Sequence, residues 1–218
     1  MQEEKRKFIT SLYFPACLLI TIWVIKLGEM VFGIDLFYLG IYPLEVKGLP
    51  GIIFAPLIHS TIGHIAANSG PLFLLSTAIF YFYREVAWKV IFLTWLFTGL
   101  WVWFGAREAY HIGASGLVYG YASFLFFSGF IRKSKELMAI SLIVVFLYGG
   151  LIWGIFPAER NVSWESHLLG GVAGFVLAVY FKHYGPSRYE PEEEEEEEED
   201  GNSTDNEDYQ TGLMTKWR

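Results

Sequence analysis

Residues 113–131 read GASGLVYGYASFLFFSGFI, a run of small and apolar side chains that contains no charged residue. An apolar stretch of about 18 or more residues without charges is a candidate transmembrane helix. Ser115 stands near its start, and polar groups at membrane depth are costly and therefore candidates for a functional role. This segment indicates a membrane protein with a candidate reactive serine.

Similar apolar stretches lie on both sides of this segment, and each is apolar on all faces, as expected for helices in lipid. Charged residues make up 18% of the chain, whereas about 25% is usual in soluble domains. The sequence therefore predicts an all-α protein of the lipid bilayer with six transmembrane helices, and we expect no nucleic-acid partner. The predicted spans are residues 8–27, 63–83, 86–104, 115–131, 137–156 and 165–182, within a membrane domain of residues 8–182.

Basic residues set the expected orientation of these spans. If residues 1–7 form a cytoplasmic N-terminus, ten basic side chains fall inside and four fall outside, which satisfies the positive-inside rule. An even number of spans then places residues 183–218 in the cytoplasm as well. No organelle-targeting presequence is evident, so we expect a bacterial plasma membrane.

The C-terminal residues 183–218 differ in composition from the rest of the chain. Residues 190–218 carry 13 of the 23 acidic side chains, including the run from Glu192 to Glu199, and 2 of the 16 basic ones. Because like charges repel each other and apolar groups are few, we expect a disordered acidic tail. A solvated spacer is one interpretation of this tail, and a contact with a basic partner is the other.

Two irregular features are expected within the membrane domain. Residues 28–58 are largely apolar but interrupted by repeated glycines and prolines, so we expect a partly embedded first outer loop whose irregular backbone is shielded by protein. The fourth span, from Ser115 to near Arg132, has about 17 residues and is therefore about 25 Å long. A bilayer core is about 30 Å thick, so we expect a short helix with Ser115 recessed in a pocket.

The first cluster of candidate functional residues is Gly113-Ala114-Ser115-Gly116. Its glycines allow a sharp turn and a close approach of a substrate backbone. A serine at a helix N-terminus lies beside unpaired N–H groups and the positive end of the helix dipole, which favour a developing oxyanion. The alternative is a small-residue packing motif, which is common in membrane helices.

The second cluster is His167 with Gly170 and Gly174, which lie three and seven residues later on the same helical face. Gly116 and Gly120 form a comparable small-residue pair on the fourth span. Facing glycines allow two helix backbones to come close together. Serine is a short side chain, so a histidine on another helix reaches it only where the two helices touch. The spacing therefore favours a Ser–His contact over a purely structural histidine.

The third cluster contains His59, His64 and Asn68. His64 and Asn68 are four residues apart and share one face of the second span. Both side chains can donate hydrogen bonds, as an oxyanion hole requires. Metal binding by His59, His64 and His167 is the alternative, but no His-Glu-x-x-His pattern accompanies them and it would leave the glycine-flanked serine unexplained.

Acidic residues outside the tail all fall in predicted loops or at helix ends. Glu165 is the nearest to His167 in sequence, but side chains two residues apart on a helix point in different directions. We therefore expect a Ser–His dyad without an orienting carboxylate. Tyr119, one turn after Ser115, could hold the imidazole by packing against it.

Taken together in their order along spans two, four and six, these clusters resemble the motifs of the rhomboid family of intramembrane serine proteases. The resemblance implies a six-helix rhomboid-like bundle in which Ser115 is the nucleophile and His167 is the general base. It further implies an oxyanion hole formed by His64, Asn68 and the Ser115 backbone N–H, with Tyr119 supporting the histidine.

The resemblance also implies that the substrates are transmembrane proteins, cleaved within or beside the bilayer without a cofactor. A Trp-Arg pair that some bacterial relatives carry in the first outer loop is missing between residues 28 and 58. Two other functions stay open from the sequence. One is a non-proteolytic scaffold or chaperone that binds membrane proteins. The other is a small transporter that relays protons through its histidines, but it predicts charged residues deep in the spans or broken helices in paired halves, and the sequence shows neither.

Overall fold

The protein is described by a computed structural model that covers residues 1–147, 154–156 and 163–186. Within these ranges the chain forms α-helices and short 3-10 turns and no β-strand, apart from an isolated antiparallel pairing of Ile41 with His111. The helices are α1 Gln2–Phe32, α2 Gly51–Phe54, α3 Ile62–Phe82, α4 Ala87–Gly105, α5 Ser115–Arg132, α6 Lys135–Leu147 and α7 Trp164–Tyr180. The predicted all-α class is confirmed for the described residues.

The helix bounds agree with most of the predicted spans. Three helices, α1, α3 and α4, are long and apolar enough to cross a membrane by length and composition. The predicted end of the fifth span at residue 156 is wrong, because residues 154–156 form a turn and a bend. Gly154 favours neither helix nor strand, and its carbonyl is used by a side chain of α7. Residues 187–218, with most of the predicted acidic tail, lie outside the described ranges.

Helix α5 lies at the centre of the packing and contacts α3, α4, α6 and α7. Its most extensive contact is with α7, where glycines face each other as their spacing predicts. A methyl group on Gly170 would overlap the carbonyl oxygen of Gly116, and one on Gly174 would overlap that of Gly120. The two backbones therefore touch directly along this seam, as in other small-residue contacts between membrane helices.

Other residues of α5 fill an apolar core with α3 and α4. Tyr121, Phe124 and Leu125 are fully buried there, and Leu75 and Ile79 of α3 are buried against the same cluster. Because α5 is packed both through these large side chains and through its glycine backbone, its rotation about its own axis is fixed. Ser115, its first residue, therefore points in a defined direction.

A buried arginine closes the far end of the seam. Arg132, the last residue of α5, donates hydrogen bonds to the Lys182 carbonyl at 2.9 Å and to the Pro186 carbonyl at 2.6 Å. The last carbonyls of a helix have no partner within the helix, and a cation is favoured at this end of the dipole. Arg132 thus ties the segment after α7 to the end of α5.

The loop between α1 and α3 consists of α2 and 3-10 turns packed on α4. Two tryptophans of α4 hydrogen-bond its main chain: Trp95 donates to the Ile52 carbonyl at 3.1 Å, and Trp103 donates to the Glu45 carbonyl at 3.0 Å. These donors satisfy carbonyls that the irregular backbone leaves without a helical partner. Protein groups thus shield part of the loop backbone, as expected for irregular backbone at membrane depth. The side chains of Ile41, Ile52 and Ala55 are buried beneath the loop.

We predict that Gly170→Ala destabilises the fold by about 1–3 kcal/mol, the range for inserting a methyl group into a packed core. Gly171→Ala is the matched control, because no atom lies within 4 Å of a methyl group at that position. The measurement is thermal unfolding of the purified protein in detergent. Equal unfolding temperatures for the two variants would contradict the close contact of α5 and α7.

Candidate active site

Ser115 is the first residue of α5 and follows a sharp turn at Gly113. Gly113 has a φ of 108°, a conformation that favours glycine. A side chain at that position would also collide with the His64 ring, whose Cε1 lies 2.7 Å from where a Cβ would stand. The turn therefore brings the α3 histidine and the start of α5 into direct contact.

His167 stands in the first turn of α7 and reaches Ser115 across the glycine seam. Its Nε2 lies 2.7 Å from the Ser115 Oγ, and its Nδ1 lies 2.7 Å from the carbonyl oxygen of Gly154. A carbonyl only accepts hydrogen bonds, so Nδ1 carries the proton and Nε2 accepts the serine hydroxyl. This is the tautomer in which a histidine can remove a proton from the serine.

The contact with Gly154 was not predicted from the sequence. It uses a main-chain carbonyl, which every residue carries, so no side-chain pattern could have indicated it. Glycine is required at this position for space: a Cβ would overlap the Tyr119 hydroxyl and stand 2.9 Å from His167 Nδ1. Gly154 thus takes the place that a carboxylate holds in a Ser–His–Asp triad.

Tyr119 lies one helical turn after Ser115 and stacks on the imidazole. The two ring centroids are 4.3 Å apart and the planes differ by 9°. His167 is only 7% exposed. The ring therefore contacts Tyr119 on its face and Gly154 and Ser115 at its two nitrogens.

The side chains proposed for the oxyanion hole lie on the neighbouring helix α3. The ring of His64 packs against Gly113, and its Nδ1 lies 3.3 Å from the Ser60 hydroxyl. Asn68 donates one of its two amide hydrogens to the His64 carbonyl at 3.0 Å, which leaves the second available. The structure thus places His64 beside the turn that leads to Ser115, with Asn68 one turn farther along α3.

His59 hydrogen-bonds the turn that precedes Ser115. Its Nε2 accepts a hydrogen bond from the backbone N–H of Ala114 at 3.3 Å, and its ring contacts that of His64 edge-on at 5.0 Å. Burial, with a smaller contribution from the nearby His64, lowers the pKa of His59 to about 3. The imidazole is therefore neutral in the folded protein and serves as an acceptor.

The acidic side chain nearest to His167 in sequence has another partner. Glu165 is buried, but its carboxylate pairs with Arg107 at 3.5 Å. Across residues 1–147, 154–156 and 163–186, no group of three or more His, Cys, Asp or Glu side chains is arranged to hold a metal ion. At this site the Ser115 hydroxyl and the His167 imidazole lie within hydrogen-bond distance.

An apolar groove borders the site between α5, α6 and α7. It has a volume of about 840 Å³, and Tyr119 and His167 form part of its wall. Phe126, Leu142 and Phe175 line the rest of it with other apolar side chains. The groove therefore reaches the His167 ring next to Tyr119, which stacks on that ring.

Comparison with known proteins gives consistent matches. The family model described as the rhomboid domain matches residues 47–184. An uncharacterized protein of Mycobacterium tuberculosis is 37% identical in an alignment of 183 positions that covers 78% of this chain and 72% of that protein. A Mycobacterium leprae protein, also uncharacterized, is 33% identical over 78% of this chain and 69% of its own length. A mimivirus protein, provisionally named a rhomboid protein, is 27% identical over 56% of this chain and 70% of its own length.

We predict that Gly154→Ala slows the reaction of Ser115 with a fluorophosphonate by about tenfold or more. The added methyl group displaces the carbonyl that fixes the His167 tautomer, and a wrong tautomer leaves serine without its base. Gly171→Ala, which meets open space, is the control. Labelling of Gly154→Ala at the control rate would show that the carbonyl is dispensable.

A second prediction concerns acid stability. The folded protein keeps His59 neutral down to about pH 3, whereas the unfolded chain protonates it near its ordinary pKa of 6.5. Stability therefore falls as pH drops below about 6.5, by up to about 1.4 kcal/mol per pH unit from this residue.

The measurement is chemical unfolding between pH 7 and pH 5. His59→Gln should flatten the slope, whereas His183→Gln, at an exposed histidine, should leave it unchanged. An identical slope in His59→Gln and wild type would contradict a neutral His59.

Proposed function

This chain belongs to the rhomboid family, and on that premise we propose that it is an intramembrane serine endopeptidase with Ser115 as nucleophile and His167 as general base. The observation that carries the proposal is the hydrogen bond of 2.7 Å between Ser115 Oγ and His167 Nε2. Its partner bond from Nδ1 to Gly154 leaves Nε2 free of a proton and able to act as base.

The first half of the reaction forms an acyl-enzyme. His167 Nε2 takes the hydroxyl proton of Ser115 while Oγ attacks the carbonyl carbon of a substrate peptide bond. The carbonyl oxygen becomes an oxyanion, and the C–N bond then breaks as His167 returns the proton to the leaving nitrogen. A neutral substrate bond and a neutral dyad thus give a neutral amine and an ester on Ser115.

The second half of the reaction is hydrolysis of that ester. Water gives a proton to His167 and its oxygen attacks the ester carbonyl. The ester bond to Oγ breaks, Ser115 recovers the proton and the new carboxyl product departs. No cofactor is needed for either half of the reaction. Each half consists of proton transfers, addition to a carbonyl carbon and cleavage of the bond to the leaving group.

Attack on the peptide bond and attack on the ester each produce an oxyanion. Both oxyanions need hydrogen-bond donors where the charge develops. We assign this role to the Ser115 backbone N–H, the His64 ring and the free amide hydrogen of Asn68. Ser115 opens α5, so the positive end of the helix dipole favours the same charge. His64 already contacts Gly113, and the bond of Asn68 to the His64 carbonyl uses one of its two amide hydrogens, so the second remains as a donor.

The substrate class follows from where the site lies. Within the described residues we assign α1 and α3 to α7 as membrane spans, with both termini in the cytoplasm of a bacterium and Ser115 near the outer face. A transmembrane substrate helix enters sideways past α6. Its scissile bond must leave the helix to be attacked, so substrates should carry helix-weakening residues such as glycine or proline near that face.

We predict that the purified protein in lipid vesicles cleaves a model transmembrane substrate, and that Ser115→Ala and His167→Ala each lower the rate by about 10³-fold or more. Asn68→Ala should lower it by about 10²–10³-fold, the range for loss of one oxyanion donor. The assay is quantified by gel and by mass of the products. Ser76→Ala, whose hydroxyl bonds within α3, is the matched control.

Cleavage by Ser115→Ala at the wild-type rate would overturn the assignment. If wild type binds the substrate and releases it uncut, the protein is a membrane-protein scaffold or chaperone instead.

A further inference from the structure

His111, four residues before Ser115, joins three separate parts of the chain. The backbone of His111 pairs with Ile41 of the first loop through two hydrogen bonds, of 3.0 and 2.9 Å. Its ring Nε2 lies 3.0 Å from the Arg107 carbonyl, and its Nδ1 lies 2.6 Å from the Ser163 hydroxyl at the start of α7. His111 is 2% exposed, and Ser163 is half-buried.

The direction of each hydrogen bond in this junction is determined by its ends. The Arg107 carbonyl can only accept, so His111 Nε2 carries the proton and Nδ1 is an acceptor. Ser163 therefore donates its hydroxyl hydrogen to Nδ1. Its oxygen, 2.5 Å from the hydroxyl of Ser166, then accepts from Ser166. Burial lowers the pKa of His111, which keeps the ring in the neutral form that this chain of bonds requires.

The far end of the chain lies beside the catalytic pair. Ser166 directly precedes His167, and Gly116 directly follows Ser115. A Cβ on Gly116 would stand 3.1 Å from the Ser166 carbonyl oxygen and 3.5 Å from its Cβ. The main-chain neighbours of the nucleophile and of the base thus rest against each other, and Ser166 is the residue that His111 holds through Ser163.

An ion pair spans the same two segments. Arg107, whose carbonyl accepts from His111, pairs with Glu165 of α7 at 3.5 Å. The first turn of α7 is therefore bound to residues 107–111 through a charged contact and a neutral chain of hydrogen bonds. The glycine seam below fixes how closely α5 and α7 approach, and one turn farther along α7 the Ser123 hydroxyl donates to the Gly171 carbonyl at 2.7 Å. The contacts of residues 107–111 add the polar ties at the first turn of α7, which carries His167.

We propose that His111, with Ser163 and Ser166, forms an outer latch that sets the axial position of α7 and so the distance between Ser115 and His167. His111 acts as a positioning residue and takes no part in proton transfer. This inference rests on the proposed protease function, since the distance it sets is that of the dyad. A misplacement of about 1 Å at a reacting group can cost about 10²-fold in rate.

Two substitutions of His111 separate the latch from simple filling of space. In His111→Asn the side-chain oxygen takes the place of Nδ1 and still accepts from Ser163. In His111→Gln the amide nitrogen takes the place of Nε2 and still donates to the Arg107 carbonyl, while the acceptor for Ser163 is lost. Ser163→Ala removes the donor and leaves the histidine intact.

The experiment measures kcat and KM for a transmembrane substrate in vesicles, with thermal unfolding of each variant as a check of folding. His111→Gln and Ser163→Ala should each lower kcat about tenfold with KM unchanged, and the double variant should lose no more than either single one. His111→Asn should stay within about threefold of wild type. Deuterium exchange of the amides of residues 164–167 should be faster in His111→Gln than in wild type or His111→Asn.

Three results would overturn the latch: wild-type kcat in both His111→Gln and Ser163→Ala, equal losses in His111→Asn and His111→Gln, or a hundredfold loss in the double variant. If His111→Gln does not fold, Ser163→Ala and its exchange rates decide the question. Absence of cleavage by wild type would instead reject the protease function, and the exchange measurement would still test the latch.

Discussion

The direct contact between the backbones of α5 and α7 is the constraint on which the site depends. Serine is a short side chain, so its hydrogen bond of 2.7 Å to His167 requires two helices whose backbones touch. Gly116, Gly120, Gly170 and Gly174 provide that contact. Large buried side chains of α5 fix its rotation, and Arg132 ties its far end to the segment after α7.

The way His167 is oriented suits a site within a bilayer. A buried carboxylate would need full hydrogen bonding to offset the loss of water, and ionisable groups at membrane depth are costly. A main-chain carbonyl orients the ring without adding a charge, and the stacked Tyr119 restrains its plane. The acidic group nearest in sequence, Glu165, is instead paired with Arg107.

The sequence was informative where side-chain chemistry and periodicity carry the information. Helix positions, the facing glycines, and the approach of Ser115, His167 and Tyr119 all follow from apolar runs and from spacings of three, four and seven residues. The contacts of Gly154, and of Trp95 and Trp103 with the first loop, could not be predicted in this way. They use main-chain carbonyls, whose direction depends on the completed fold rather than on residue type. The predicted end of the fifth span at residue 156 was wrong for the same reason, because the apolar residues around Gly154 gave no sign that its carbonyl bonds to His167.

The central claim is that His167 holds its proton on Nδ1 and accepts the Ser115 hydroxyl at Nε2. Nitrogen-15 NMR of histidine-labelled protein in lipid bilayers measures this directly, with the resonances of His167 assigned by their loss in His167→Gln. At neutral pH we expect a directly bonded proton on Nδ1 and none on Nε2, and a change in the Nε2 resonance when Ser115 is replaced by alanine. A proton on Nε2, or an Nε2 resonance that does not respond to Ser115→Ala, would contradict the account.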